Sequence, residues 1–283
     1  MAASSAKVLQ RRVVNGLFVG FCIGVTLLAL LALAAILVTL VKNGAADFNL
    51  GLFTKAVPPE GEKGGLADGI IGSILMCGLG MAIALVIGIL AGTWLAEYAG
   101  EGRYGSVVRF LNDVLLSAPS ILIGVFVAQI MVSNLIHHPS GYAGGVALAL
   151  LAIPVIIRTT EDVLRLQPIS LRESGIALGT PFWTVIRTIL WRASTGGILT
   201  GALLAFARIS GETAPLLFTA LNNQYLSNMN DQMANLPVVM FNDALSAYDD
   251  LQRLAWAAAL IVSASVLGVI IIARILTREQ KSA

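Results

Sequence analysis

Apolar residues in this chain fall in long blocks and lack the short alternation of a soluble fold. Six blocks stand out, at about 16–41, 69–96, 113–136, 143–157, 195–220 and 254–276. A helix needs roughly 20 apolar residues to cross about 30 Å of hydrocarbon, so the pattern predicts six transmembrane helices and no sheet. The fourth block is short and stops at Arg158, and its inner end is expected to continue as helix into solvent. Small residues recur at four-residue spacing in Gly88-Ile-Leu-Ala-Gly92 and Gly197-Ile-Leu-Thr-Gly201. That spacing lets helix backbones approach closely in lipid, which predicts a tight bundle.

The polar positions orient the bundle. With the N-terminus placed in the cytoplasm, thirteen Lys and Arg fall on that side, against Lys42, Lys55, Lys63 and Arg253 on the other. This asymmetry predicts that both termini are cytoplasmic. The expected order is a cytoplasmic N-terminus (1–15), a first transmembrane helix (16–41), an outer loop (42–68), a five-helix unit (69–276) with a cytoplasmic loop at about 158–192, and a tail (277–283). Lys7, Arg11 and Arg12 before the first block imitate a secretion signal. The block is about twice as long as a signal core, so it reads as an uncleaved span. Composition agrees, with 57% hydrophobic and 12% charged residues, where soluble domains carry about 25% charged. No basic run interleaved with aromatics points to nucleic acid. Cys22 and Cys77 fall inside apolar blocks and read as small core residues.

Against that background Arg208 and Glu212 stand out, because they lie near the middle of the fifth block. A charge at the bilayer centre costs about 2.5–3.5 kcal/mol on insertion scales. Four residues apart on a helix, the two would share a face and partly compensate each other. Pro215 has no N–H for the carbonyl of Gly211, which leaves backbone polarity free in the same turn. Loose backbone groups at that depth are tolerated only against protein or water. Arg208, Glu212, Thr213 and Pro215 are therefore expected to line a solute path. The competing reading makes Arg208–Glu212 a structural pair between subunits.

The loop after the fourth block is punctuated like a built element. Ser170-Leu-Arg-Glu173 reads as a capping box, followed by a short helix through Leu178. Gly179 suits the left-handed residue that ends a helix, and Thr180-Pro181 suits the start of a second one. Leu171, Ile176 and Leu178 would give this element an apolar face for a partner's groove, unless the loop merely packs along the bundle. His137 and His138, beside Pro139, lack a third ligand nearby and read as loop residues, so no metal site is expected. Glu97 and Asp113 read as interfacial.

These residues carry a resemblance. Glu173-Ser-Gly-Ile-Ala-Leu-Gly179 resembles the EAA loop of ABC-importer permeases, a Glu with small residues after it and a Gly six positions on. The segment Arg208-Ile-Ser-Gly-Glu212-Thr-Ala-Pro-Leu-Leu-Phe-Thr219 is similar to the fifth helix of the PstA-type phosphate permeases. Leu236-Pro-Val, Gln252-Arg-Leu-Ala-Trp256 and Ala118-Pro-Ser-Ile121 fit the same family. The resemblance covers roughly 70–275. It departs at Ser174 and Gly175, and at Trp191-Arg192, where the family has Leu-Pro. Losing that proline would let the second loop helix run straighter into the fifth span.

The resemblance implies an all-α, MetI-like type I importer fold with 69–276 as the permease domain, in the inner membrane of a bacterial cell. It implies phosphate import by alternating access with three partners: a second, PstC-type permease, a PstB-type ATPase dimer and a periplasmic PstS-type phosphate-binding protein. Glu173, Ser174, Gly175 and Gly179 would couple to the ATPase. The chain has no Gly-rich phosphate loop of the Walker type, so the expectation is a transport subunit without catalytic residues. ATP and Mg²⁺ would be used by the separate ATPase, and no cofactor is expected on this chain. Rival readings are a permease of the same fold for sulfate, molybdate or another solute, and a membrane scaffold in phosphate sensing. A self-contained ion-coupled carrier would leave the loop without a purpose.

Overall fold

The structure is a computed structural model that describes residues 2–46, 48–58, 64–100, 102–223 and 227–279. These residues form helices and connecting loops with no strand among them. In chain order the helices are α1 (Ala2–Gly44), α2 (Gly51–Thr54), α3 (Ala67–Glu97), α4 (Arg103–Ser117), α5 (Ser120–Val127), α6 (Gly141–Arg165), α7 (Ile169–Ala177), α8 (Phe182–Val185), α9 (Trp191–Ser210), α10 (Leu216–Thr219), α11 (Leu236–Ala244) and α12 (Asp249–Glu279). Two π-helical stretches interrupt them, Ala128–Ile136 after α5 and Ile186–Leu190 between α8 and α9. Five segments are long and apolar enough to cross a membrane, and α4 with Ser120–Ile136 makes a sixth, bent pair.

Helix α6 is the centre of the bundle, and glycines set how closely its neighbours approach. A Cβ at Gly88 of α3 would lie 2.7 Å from Ile156 of α6, and one at Gly92 would lie 2.7 Å from the Ile157 carbonyl. On the other side, Gly197 and Gly201 of α9 leave no room between their backbone and the Val163 and Thr159 side chains of α6. Both four-residue glycine spacings are thus packing seams, as expected. Met76, Ile123, Leu151, Ile156, Ile209 and Leu216 fill the main core between α3, α5, α6 and the α9–α10 segment.

Two spans depart from the hydropathy reading. The third block does not form one straight helix. The chain turns by 104° between α4 and Ser120–Ile136, because Ala118 and Pro119 are extended at ψ 135° and 131° and a proline disfavours helix in the residue before it. The fifth block begins and ends earlier than its apolar extent: a continuous span runs Phe182–Ser210 and stops. The fourth, as expected, runs on past its apolar block to Arg165, one residue before its cap at Leu166.

Helix α1 stands apart. The end of α1 around Gly44 packs against Trp256 and Leu260 of α12, and the apolar stretch before it is uncovered. Cys22 is therefore exposed, whereas Cys77 is buried, so only Cys77 is the core residue expected of both.

At one end of the bundle, here the linker end, α7 and α8 join α6 to α9. At the opposite end, the 221–235 loop folds over the start of α6. Gly141 donates to the Asp231 carbonyl and Tyr142 to that of Met229. Ser140 caps α6 and Asn235 caps α11, each accepting a backbone N–H through its side chain.

Candidate functional site

Helix α9 stops at Ser210 because Pro215 cannot donate to Gly211 and its ring would crowd the same turn. Gly211, Glu212 and Thr213 leave the helix, and Pro215 restarts one turn, Leu216–Thr219. Contact between Gly201 and Thr159 fixes the level of this break. At 1.5 Å per residue, Thr159 lies about 27 Å below the start of α6 and Arg208 about 10 Å above Gly201. Arg208 therefore sits roughly 16 Å from the level of the α6 start; with that start at the surface of a hydrocarbon core about 30 Å thick, Arg208 would lie near its middle.

All four residues assigned to a solute path meet at this break. Arg208 and Glu212 are half-buried, yet they form no ion pair among the described residues. The expected shared helical face is lost because Glu212 lies beyond the helix end. Arg208 falls in the last turn of α9, where a cation is favoured by the helix dipole. The N–H groups of Thr213 and Ala214 donate to no described residue. Thr213 donates its hydroxyl to the Pro237 carbonyl at 3.5 Å. It also lines an open cleft of about 430 Å³ that passes Gln252 and Trp256 near the start of α12 and reaches Ala259. Pro215 is buried, and its ring leaves no room for a Cβ on Gly124 of α5. It supports the break from behind.

The EAA-like residues lie at the linker end, about 39 Å from Arg208 along the α8–α9 span at helical rise. Glu173 and Ser174 are exposed on α7. The expected capping box is absent. Pro168 occupies the cap position and α7 begins at Ile169, so Ser170 already lies in the first turn and its carbonyl accepts from the Ser174 hydroxyl at 2.7 Å. Gly179 ends the helix at φ +73°, as expected. The second helix starts one residue later than its cap signal, with Pro181 at the cap and Phe182 first. Gly175 is buried because α7 crosses the next segment there, where a Cβ would meet Val185 at 2.7 Å. The departure from Ala thus makes room for packing.

Two arginines lock this end reciprocally, which the sequence did not signal. Arg172 of α7 grips Glu97 at the end of α3 with two bonds, Nη2 to Oε1 at 2.6 Å and Nε to Oε2 at 2.8 Å. It also donates to the Leu164 and Gln167 carbonyls at the end of α6. Arg109 of α4 binds Glu161 of α6 at 2.7 Å and donates to the Leu95 and Gly100 carbonyls at the end of α3. Each arginine caps one helix and holds a carboxylate of the other. Arg165 adds a second cation to Glu161 at 2.9 Å. Glu97 is consequently buried under α7 and not interfacial, with its side chain 2% exposed. Asp113 remains exposed beside Arg158 at 3.8 Å. Trp191, standing where the family has Leu, donates its indole N–H to Thr93 at 3.1 Å. His137 and His138 are exposed and face backbone carbonyls.

Apolar side chains are left uncovered around α7. Ile169, Ile176 and Leu178 are more than half exposed, as is Trp183 of α8.

Residues 84–282 match the family described as binding-protein-dependent transport system inner membrane component. The chain is 50% identical to the phosphate transport system permease protein PstA of Haemophilus influenzae, over 96% of this chain and 96% of that one. It is 53% identical to the protein of that name from Pasteurella multocida, over 85% and 86%, and 46% identical to that of Yersinia pestis, over 99% and 96%. Among solved structures, an inward-facing MetNI methionine ABC transporter overlays with a TM-score of 0.65 at 17% identity, covering 76% of this chain and 95% of that one. That likeness supports the importer-permease fold. A bundle of apolar helices, a broken fifth span and a clasped loop helix thus coincide with sequence identity over nearly the whole length, and the chain belongs to the family of binding-protein-dependent transport system inner membrane components.

Proposed function

We propose that this chain is the membrane-spanning subunit of an ATP-driven importer that moves inorganic phosphate across the inner membrane by alternating access. The observation that carries this reading is the break at mid-depth, where, among the described residues, Arg208 has no carboxylate partner and two backbone N–H groups are unused. An anion crossing hydrocarbon needs such donors. A guanidinium offers two parallel bonds to two phosphate oxygens. Phosphate at neutral pH carries one to two negative charges, and a single unpaired cation attracts it without trapping it. A site that held the ion tightly would conduct poorly. The identity to PstA permeases supports phosphate over sulfate or molybdate.

In this reading the linker end faces the cytoplasm, as the Lys and Arg asymmetry predicts, and both termini lie there. A PstB-type ATPase dimer docks on the exposed apolar side chains of α7, with Glu173 and Ser174 on the same helix and Gly175 and Gly179 shaping it. ATP and Mg²⁺ belong to that subunit. Closure of the dimer pushes α7, and the Arg172–Glu97 and Arg109–Glu161 clasps pass the displacement to α3 and α6 together. A PstC-type permease completes the cavity beside the break. A PstS-type binding protein delivers phosphate at the opposite end.

The test is uptake by the reconstituted four-component complex with Arg208→Gln and Arg208→Lys. Charged hydrogen bonds are worth about 1.5–3 kcal/mol, so Arg208→Gln should lower uptake about 10- to 100-fold while assembly with the ATPase persists. Arg208→Lys should retain part of it. Normal uptake in both variants, or loss of assembly in both, would overturn the reading.

A further inference from the structure

A second polar cleft, of about 470 Å³, opens at the end of the bundle opposite the linker. It lies where the loop after α2 meets α11 and the connection into α12, and Pro58, Asn222, Asn242, Asp243, Ser246 and Tyr248 are among its walls. Asp243 is 8% exposed. Its Oδ2 and the Asn222 Oδ1 are both buried without a hydrogen-bond partner. Two residues that wall one cleft thus each carry a buried acceptor with no donor among the described residues, a costly arrangement. Asp243 is the one carboxylate among the described walls, and burial raises its pKa from 3.8 to about 6.

We infer that this cleft receives a lysine or arginine side chain of the solute-binding protein that docks at this end. The inference rests on the import reading above, which supplies the partner and the side on which it arrives. Charge selects the occupant: one carboxylate and one amide oxygen, both lacking donors, match an ammonium or guanidinium. Size agrees, since the cleft far exceeds what a single ion needs. Metal coordination is poorly served, because the described residues contain no group of three His, Cys, Asp or Glu that could hold one. Leu245 and Tyr248 at the rim are exposed and offer apolar surface to the methylene stem of a basic side chain.

The experiment titrates phosphate-loaded binding protein onto the intact complex in lipid nanodiscs and reads stimulated ATP hydrolysis. Asp243→Asn preserves shape and removes charge. It should raise the half-saturating concentration of binding protein about 10-fold or more, with the maximal rate retained. Asp243→Glu, which keeps the charge, should recover part of the loss and shows that the cleft still folds. An unchanged half-saturation, or a fall in maximal rate alone, overturns the inference. So does a Na⁺- or Mg²⁺-dependent thermal shift that Asp243→Asn abolishes, which would make the occupant a metal ion. Reproduction of the effect by Lys63→Ala would make it this chain's own lysine. Failure of the wild-type complex to respond to any loaded binding protein would instead count against the import reading.

Discussion

The linker end and the mid-depth break handle charge in opposite ways. At the linker end, Glu97, Glu161, Arg109 and Arg172 are matched bond for bond, and each arginine also takes up orphan carbonyls at a helix end. At the break, Arg208 and Glu212 lie four residues apart and remain unmatched. Matched charges in a low dielectric hold a shape and are costly to separate. An unmatched cation at membrane depth is held in place for something that comes and goes. One bundle therefore carries a matched clasp and an unmatched break, and pairing tells apart the proposed transmitter and the proposed anion route.

The largest expected effect is at the transmitter. Glu97→Ala strands Arg172 under α7, and breaking a buried pair costs about 3–5 kcal/mol. Thermal unfolding of the detergent-solubilised protein should show that loss. Arg172→Ala together with Glu97→Ala should cost much less than the sum of the two single changes. Strict additivity would break the comparison.

Gly175→Ala comes next. Its Cβ would meet Val185 at 2.7 Å, and overpacking of this kind costs about 1–3 kcal/mol. Recovery of ATPase association by Val185→Ala in the same chain would sharpen the assignment of this contact to the docking element.

Asp243→Asn should act through pH. The folded carboxyl titrates near 6 instead of 3.8, so between those values the folded state binds more protons than the unfolded one. Stability then falls as pH rises through this window and stays lowered above it. The Asn variant should melt higher than wild type at pH 8 and lose that advantage at pH 4. Equal differences at both pH values would remove the carboxyl as the cause.

Glu212→Gln is expected to matter least for folding, with a smaller effect than any change above, since Glu212 pairs with no cation among the described residues. A large loss of stability would mean that Arg208–Glu212 is a structural pair after all.

Hydropathy exposed the spans because lipid demands long apolar runs, and the glycine spacings in α3 and α9 exposed two packing seams. Direction and pairing were harder to read. The turn at Ala118-Pro119 and the stop at Gly211 lie within apolar blocks, where hydropathy reports no geometry. The prolines four residues after Gly211 and at 119 were the available signals. The capping box at Ser170 failed because Pro168, two residues earlier, already fixes an extended entrance to α7. Arg172 and Glu97 are 75 residues apart, and no local pattern announces a partner at that range. Placement of Arg208, Glu212, Thr213 and Pro215 at one break was legible. The absence of contact between the first two was not, since it depends on where the helix ends.

The π-helical ring at Ile186–Leu190 gives the chain a soft joint. A wider, less well bonded turn yields to bending and torsion before the α-helix on either side of it does. It lies between the clasp and the long shaft of α9, so any displacement of α7 would pass through these five residues before it reached position 208. Deleting one of them would rotate the guanidinium by about 100° around the shaft, leaving an intact helix that presents another face at the break.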